Sequence, residues 1–356
     1  MAATKLNKKK MPCNKPRRTP KHKTKSHVVK ACEKGKEKIM NAYIKICCEK
    51  FGYLARLCYR TLAIFGLILV ATGCSDIQQK RSSLDSATKV LRFTAIPDQN
   101  TTELSEKIEP LAVYLSRQFG VTVSYVPARD YQASVEMFRN GDVHLGWFGG
   151  LTGVQAREAV AGSKAIAQGA SDPSYFTYFI ANPSANLEAS DHFPENISEL
   201  RFTFGSESST SGRLMPEFFI RKHTGEGPMT LFTRPVGFSG SHDKTAELVE
   251  SGQYQLGAIN YKVYEKRVAA GLTDPEFAKV VWKSPPYSDY NWTAHPDLET
   301  QFGEGFTSEL QATLISIENL NLLSALPRDR LIPATNEQYD GIRAIAKQLG
   351  LSLIHI

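Results

Sequence analysis

From residue 90 onwards, short runs in which apolar and polar side chains alternate every second position give way repeatedly to longer runs with a spacing of three to four. Period two marks a half-buried strand and period 3.6 an amphipathic helix. Strands are predicted over 90–96, 121–126, 144–148, 165–168, 175–181, 201–204, 229–233, 255–259 and 280–283. Leu104, Ile108, Leu111, Leu115 and Phe119 form one helical stripe, and Tyr339, Ile342, Ile345, Ala346 and Leu349 another. Further helices are predicted over 131–139, 151–161, 213–223, 243–251, 261–270 and 304–317. Pro110 lies inside the first stripe and predicts a kink or a restart there, because proline lacks the amide hydrogen and crowds the preceding turn. Strand and helix in alternation imply an α/β fold of mostly parallel sheets flanked by helices. Ligands of such folds collect at the carboxyl ends of the strands.

Ahead of residue 90 the pattern changes. Residues 61–73, TLAIFGLILVATG, follow Arg56 and Arg60 and end in small residues directly before Cys74. A basic flank, a short apolar run and a small-residue end are the parts of an export signal, and the run falls short of the ~20 residues a spanning helix needs. Ala71-Thr72-Gly73-Cys74 resembles a bacterial lipobox, which makes Cys74 the expected lipidation site. A lipid there tethers a folded domain to a membrane without making it span. Residues 1–74 are thus expected to be a basic extension with a lipoprotein signal peptide, and the small polar residues 75–88 a flexible tether.

Composition sharpens this division. The chain of 356 residues is 42% hydrophobic and 22% charged, as ordinary globular proteins are. Its net charge of +7 hides an asymmetry: residues 1–74 carry 18 of the 43 Lys and Arg and only 3 of the 36 Asp and Glu, so the remainder is acidic. An acidic body gains little by releasing counterions from a polyanion, and no nucleic-acid partner is expected. All six cysteines, Cys13, Cys32, Cys47, Cys48, Cys58 and Cys74, fall in the same leading segment. A disulfide framework, a cysteine-built zinc site and a thiol nucleophile are therefore excluded from the body.

The chemistry concentrates in residues 205–216, GSESSTSGRLMP, where hydroxyls crowd a predicted strand-to-helix junction. The first N–H groups of a helix lack internal partners, and the peptide dipoles make that end partly positive. Ser208, Ser209, Thr210 and Ser211 would add side-chain donors around the same point, enough to hold a tetrahedral oxyanion without a formal countercharge. The plainer alternative is N-capping by one hydroxyl, with the rest of the loop idle. A Ser-His-Asp hydrolase using Ser209 or Ser211 with His242 is a further alternative, although the G-x-S-x-G elbow is absent. No phosphate-binding Gly-rich Lys-Ser/Thr motif occurs, so the chain is not expected to hydrolyse ATP.

Five ordered stretches, AIPDQNTTEL (95–104), DYQASVEMFRNGDVHLGWFGGLTGVQAR (130–157), GSESSTSGRLMP, GSHDKTAELVESGQYQLGAIN (240–260) and PPYSDYNWTAHPDL (285–298), resemble the phosphonate-type substrate-binding proteins of bacterial ABC importers. Within that family the resemblance is to the branch named for selenate binding. It implies a two-lobed periplasmic-binding fold of the second type, with lobe 1 at 89–180 plus 287–351 and lobe 2 at 181–286. It implies a small oxyanion (selenate, phosphonate or phosphite class) held in an interlobe cleft by Ser209, Thr210 and Ser211, with Tyr131, His242 and Tyr175 as further contacts. It implies a monomeric binding protein rather than an enzyme, without cofactor or metal, at the outer face of the cytoplasmic membrane or in the periplasm. Its partners would be an ABC permease and a separate ATPase; a sensory domain with the same fold is the remaining alternative. The stretch Ala258-Ile259-Asn260-Tyr261 lacks the acidic residues that an aminoalkyl phosphonate calls for, which favours a ligand without an amine.

Overall fold

The computed structural model describes residues 17–18, 27–28 and 89–351. The signal-like segment, Cys74, the tether and the final LIHI lie outside the described residues. The chain divides into two compact units, Met1–Asp85 and Ser86–Ile356. In the first, Arg17–Arg18 pairs antiparallel with His27–Val28.

The second unit is built on two sheets. It starts with β1 (Val90–Ala95), α1 (Thr101–Phe119), β2 (Thr122–Tyr125), α2 (Tyr131–Arg139), β3 (Leu145–Phe148), α3 (Gly150–Ala159) and β4 (Lys164–Gly169). The chain then crosses to the second sheet, with β5 (Thr177–Ala181), β6 (Phe202–Phe204), α4 (Met215–Thr224), α5 (Pro228–Leu231), β7 (Gly237–Phe238), α6 (His242–Glu250), β8 (Leu256–Asn260), α7 (Tyr261–Ala269) and β9 (Lys279–Lys283). It returns with β10 (Asn291–Ala294), α8 (Asp297–Phe302), α9 (Phe306–Ile315), β11 (Leu331–Pro333) and α10 (Asp340–Gln348).

The first sheet has the order β11-β4-β10-β3-β1-β2 and the second β9-β5-β8-β6-β7. Each is mixed. The βαβ portions are parallel, as the alternation implies: β1 with β2 and β3, and β8 with β6. The strands that follow the crossings, β5 and β10, insert antiparallel to both of their neighbours because they enter their sheets from the opposite end. Since Thr177–Ala181 belongs to the second sheet, the first crossing falls between Gly169 and Thr177, earlier than the boundary at 180 expected from sequence. The two crossings pair with each other: Tyr175 and Tyr287 exchange backbone hydrogen bonds at 2.8 and 3.1 Å.

Local chemistry accounts for most boundaries. Asn100 caps α1 by accepting from the N–H groups of Thr102 and Glu103, and Gly120 ends it with φ 63°, a left-handed conformation that glycine adopts without strain. The helix does not restart at Pro110, and one helix runs from Thr101 to Phe119. Pro110 and Glu106 are both on the exposed face, so water can serve the carbonyl that proline leaves free. The strand predicted at 229–233 is also corrected: Pro228–Leu231 is a short helix, with Pro228 at its first position and Leu231 N–H bonded to Gly227 O at 2.8 Å. The brief strands β7, β10 and β11 were missed.

Candidate functional site

Strand β6 delivers the chain to the hydroxyl loop, and the loop enters α4 through a π-helical turn, Thr210–Leu214. Ser209 caps that turn, its Oγ accepting the Gly212 N–H at 2.9 Å. Capping therefore explains one hydroxyl, as the plainer reading held. A Cβ on Gly212 would meet Ser209 Oγ at 2.9 Å and the His242 ring at 3.1 Å, so glycine is what lets loop and imidazole approach. Ser209, Thr210 and Ser211 are buried, while Ser208 stays half-buried in the preceding turn and does not join them.

Thr210 spans the molecule. Its Oγ1 accepts the N–H of Leu151, at the amino end of α3, at 3.0 Å, and it donates to Asp289. Asp289 Oδ1 also takes the N–H of Gly150 at 2.8 Å. Gly149, the N-cap of α3, offers no side chain, so the orphan donors of that helix are served by residues far away in sequence. The GWFGGLTGV stretch thereby brings backbone close to the hydroxyl loop, with Gly149 leaving room for Thr210 Oγ1.

His242 lies under the loop, almost fully buried. Its Nδ1 accepts the backbone N–H of Asn260 at 3.3 Å, and its Nε2 is 3.5 Å from both Ser209 Oγ and Ser211 Oγ. Burial pushes its pKa down to about 3, so the ring is neutral, and the Asn260 contact leaves the proton on Nε2, aimed at the hydroxyls. This arrangement overturns the hydrolase alternative. In a catalytic triad Nδ1–H donates to a carboxylate; here Nδ1 is an acceptor, and Asp243 is engaged with Ser241 instead.

Three buried polar atoms near this point have no hydrogen-bond partner: Tyr131 Oη, Tyr175 Oη and Asp289 Oδ2. Tyr131 approaches Ser209 without forming a well-made bond. Both tyrosines lie within electrostatic range of Asp98 and Asp289, and burial raises both hydroxyls well above the usual tyrosine range, so they remain protonated donors. Buried polar groups are nearly always paired, so each of these three stands out.

The sequence reading missed the acids. Burial drives Asp289 up to about 7, against the pull of the Gly150 and Thr210 hydrogen bonds. Asp98 is likewise raised by burial, while its Oδ2 accepts from Tyr290 Oη at 2.7 Å. Tyr290 in turn accepts from Asn260 Nδ2 at 3.0 Å and stacks on Trp147 at 5.5 Å. Asp98 and Asp289 sit in the quoted motifs, yet a lone aspartate in a loop carries no periodic signal. Of the stretch Ala258-Ile259-Asn260-Tyr261, Ala258 and Ile259 are buried in β8 and Asn260 caps α7 through Val263. A groove of about 930 Å³ between 191–198 and 222–224 contains none of these residues.

Comparison with known proteins agrees with this geometry. Residues 93–339 match the family model described as ABC transporter, phosphonate, periplasmic substrate-binding protein. The "Probable ABC transporter phosphite binding protein PhnD1" of Prochlorococcus marinus (strain MIT 9301) is 39% identical over 275 residues, 75% of this chain and 92% of that protein. The "Phosphate-import protein PhnD" of Mycolicibacterium smegmatis is 26% identical over 304 residues, 79% of this chain and 93% of that protein. The solved structure of Prochlorococcus marinus PhnD1 in complex with methylphosphonate superposes with a TM-score of 0.70, covering 74% of this chain and 99% of its own. The match over residues 93–339 and the 39% identity to a protein covered almost end to end place the chain in the phosphonate family of periplasmic substrate-binding proteins of ABC transporters.

Proposed function

We propose that the protein captures a small tetrahedral phosphorus oxyanion that carries one proton, of the phosphite or methylphosphonate class, and delivers it to a membrane permease driven by a separate ATPase. One observation carries the choice of ligand: Asp289 Oδ2 is a buried acceptor without a partner, beside donors that suit an anion. Two acceptors facing each other repel unless a proton lies between them. A P–OH group meets that need, while its remaining oxygens take Tyr131, Tyr175, Ser211 and the Nε2–H of His242. Selenate and sulfate are fully ionised at neutral pH, so against them the shared proton has to stay on Asp289, whose carboxyl is raised to about 7, whereas a P–OH ligand can supply it and leave that carboxyl ionised. The relatives named for phosphite and crystallised with methylphosphonate support the same class. Cys74 is proposed to carry the lipid that holds the protein at the outer face of the cytoplasmic membrane.

The test is calorimetric titration and thermal unfolding with phosphite, methylphosphonate, phosphate, 2-aminoethylphosphonate, sulfate and selenate. A ligand at 100 times its Kd stabilises the fold by about 2.7 kcal/mol. Phosphite or methylphosphonate should bind tightest. Selenate or sulfate binding as well as phosphite would overturn the protonated-ligand reading, and a clear preference for 2-aminoethylphosphonate would assign Asp289 to an ammonium instead. Loss of membrane attachment in Cys74→Ser tests the anchor.

A further inference from the structure

Behind the cleft lies an ion pair that neither the hydroxyl loop nor the family motifs include. Arg328, between α9 and β11, is 2% exposed in its side chain, and Asp172, on the first crossing, is 0% exposed. Arg328 Nε stands 2.9 Å from both carboxylate oxygens, and Nη2 donates to Oδ1 at 2.7 Å. Its Nη1 is committed to the carbonyl of Leu326 at 2.6 Å. Asp172 Oδ2 also accepts the N–H of Gly169, and the Asp172 carbonyl accepts the N–H of Asp289 at 3.0 Å. A Cβ on Gly169 would fall 2.4 Å from Arg328 Cδ and 2.5 Å from Asp172 Oδ2, so the crossing is moulded around the pair.

The same guanidinium faces the aromatic wall of the cleft. It lies 4.7 Å from the Tyr290 ring centre, 5.3 Å from Tyr175 and 5.5 Å from Trp147. A cation on a phenol face is attracted by the ring quadrupole and draws electron density from it, which makes the hydroxyl a better donor. Tyr175 keeps its hydroxyl unpaired and Tyr290 donates to Asp98. Burying two charges to brace a fold is a poor bargain, since apolar residues of similar volume often serve as well. The location of this pair gives it another use: it ties together the first crossing, the second crossing at Asp289 and the segment ahead of β11.

We infer that Arg328 is a positioning residue for ligand capture, acting through Tyr175, Tyr290 and Asp289. It fixes the two crossings where those side chains leave them, and its charge backs the donors that meet the anion. This rests on the oxyanion reading of the cleft. Asp172 orients the guanidinium and sets its plane, while the ligand itself touches neither residue.

The test uses Arg328→Met, Arg328→Lys and the double variant Asp172→Asn/Arg328→Met, with phosphite as probe in titration calorimetry and thermal unfolding recorded without ligand. The double variant leaves no lone buried charge, so its fold is expected to survive even where Arg328→Met alone does not. Residues that act on a ligand without touching it shift its affinity by about tenfold, and the double variant should bind phosphite about that much more weakly than the wild type. Arg328→Lys, which restores the cation without the planar fork, should bind more tightly than Arg328→Met or, if that variant does not fold, than the double variant. Wild-type affinity in the double variant would overturn the inference while leaving the oxyanion site intact. Equal weakening in the lysine variant and its comparator would overturn the role of charge. A wild-type protein that binds no oxyanion would remove both.

Discussion

Thr210 Oγ1, on the lobe of the second sheet, accepts the Leu151 N–H of the first at 3.0 Å and so joins the two lobes through one hydroxyl. The same oxygen donates to Asp289, which holds the Gly150 N–H. Thr210 therefore belongs to closure as much as to ligand contact. Thr210→Ala leaves Leu151 N–H and an Asp289 oxygen short of a partner, and loss of a hydrogen bond to a charged group costs about 1.5–3 kcal/mol. Phosphite affinity is expected to fall by that amount in titration calorimetry, with recovery in Thr210→Ser. Unchanged affinity in the alanine variant would detach this residue from the cleft.

Tyr131 offers the opposite balance between stability and binding. Its hydroxyl is buried without a hydrogen-bond partner in the protein, so Tyr131→Phe removes an unsatisfied group and should leave the thermal midpoint equal or higher. Affinity should drop by about 1–3 kcal/mol, because the phenol is then missing as a donor. A variant that loses stability and keeps affinity would show that the hydroxyl serves the fold.

Asp289 makes stability depend on pH with a definite sign. Its carboxyl is raised from 3.8 to about 7, so between those values the folded state holds more protons than the unfolded one. Stability contributed by this group is greatest below about pH 4 and is lost as pH rises towards 7. His242, lowered to about 3, runs the other way, its contribution growing from pH 3 to 6.5. The two slopes oppose each other, so the difference between wild type and Asp289→Asn is the quantity to follow. Wild type should gain on the variant as pH falls from 7 to 4 in chemical denaturation without ligand; a constant difference would contradict the buried acid.

Lys266 reaches from α7 to the segment ahead of α1, its Nζ bonded to Gln99 Oε1 at 3.1 Å and 3.9 Å from Glu103. Pairs this exposed contribute about 0.2–1 kcal/mol and weaken with salt. Lys266→Met should raise the phosphite Kd by at most about fivefold, and the gap should narrow at high ionic strength. An equally large gap at high salt would assign the effect to packing of the lysine stem.

Periodicity alone placed α2 at residues 131–139, and residues 90–95 of its first predicted strand form β1, because helices and strands with one buried face must write their period into the sequence. The hydroxyl loop was legible as well, since five hydroxyls at a strand-to-helix junction exceed what one cap requires. His242 drew attention as a possible hydrolase partner of the serines, and as a ligand contact only through resemblance, which was also the sole route to Tyr131 and Tyr175; as isolated residues they look like ordinary core or capping positions. The basic leader and its cysteines were visible from composition.

What the sequence could not show is who faces whom. Asp98, Tyr290, Asp289, Asp172 and Arg328 are single polar residues in loops, and no local spacing distinguishes them from surface residues. Their burial and their raised carboxyls arise when two crossings pair at Tyr175 and Tyr287 and fold one lobe against the other. Thr210 likewise showed in sequence only as a hydroxyl, while tertiary packing sets it between Leu151 and Asp289. Local pattern determines elements because each residue meets its own neighbours along the chain; the cleft joins residues more than a hundred positions apart, and only tertiary packing brings their charges and donors to one point.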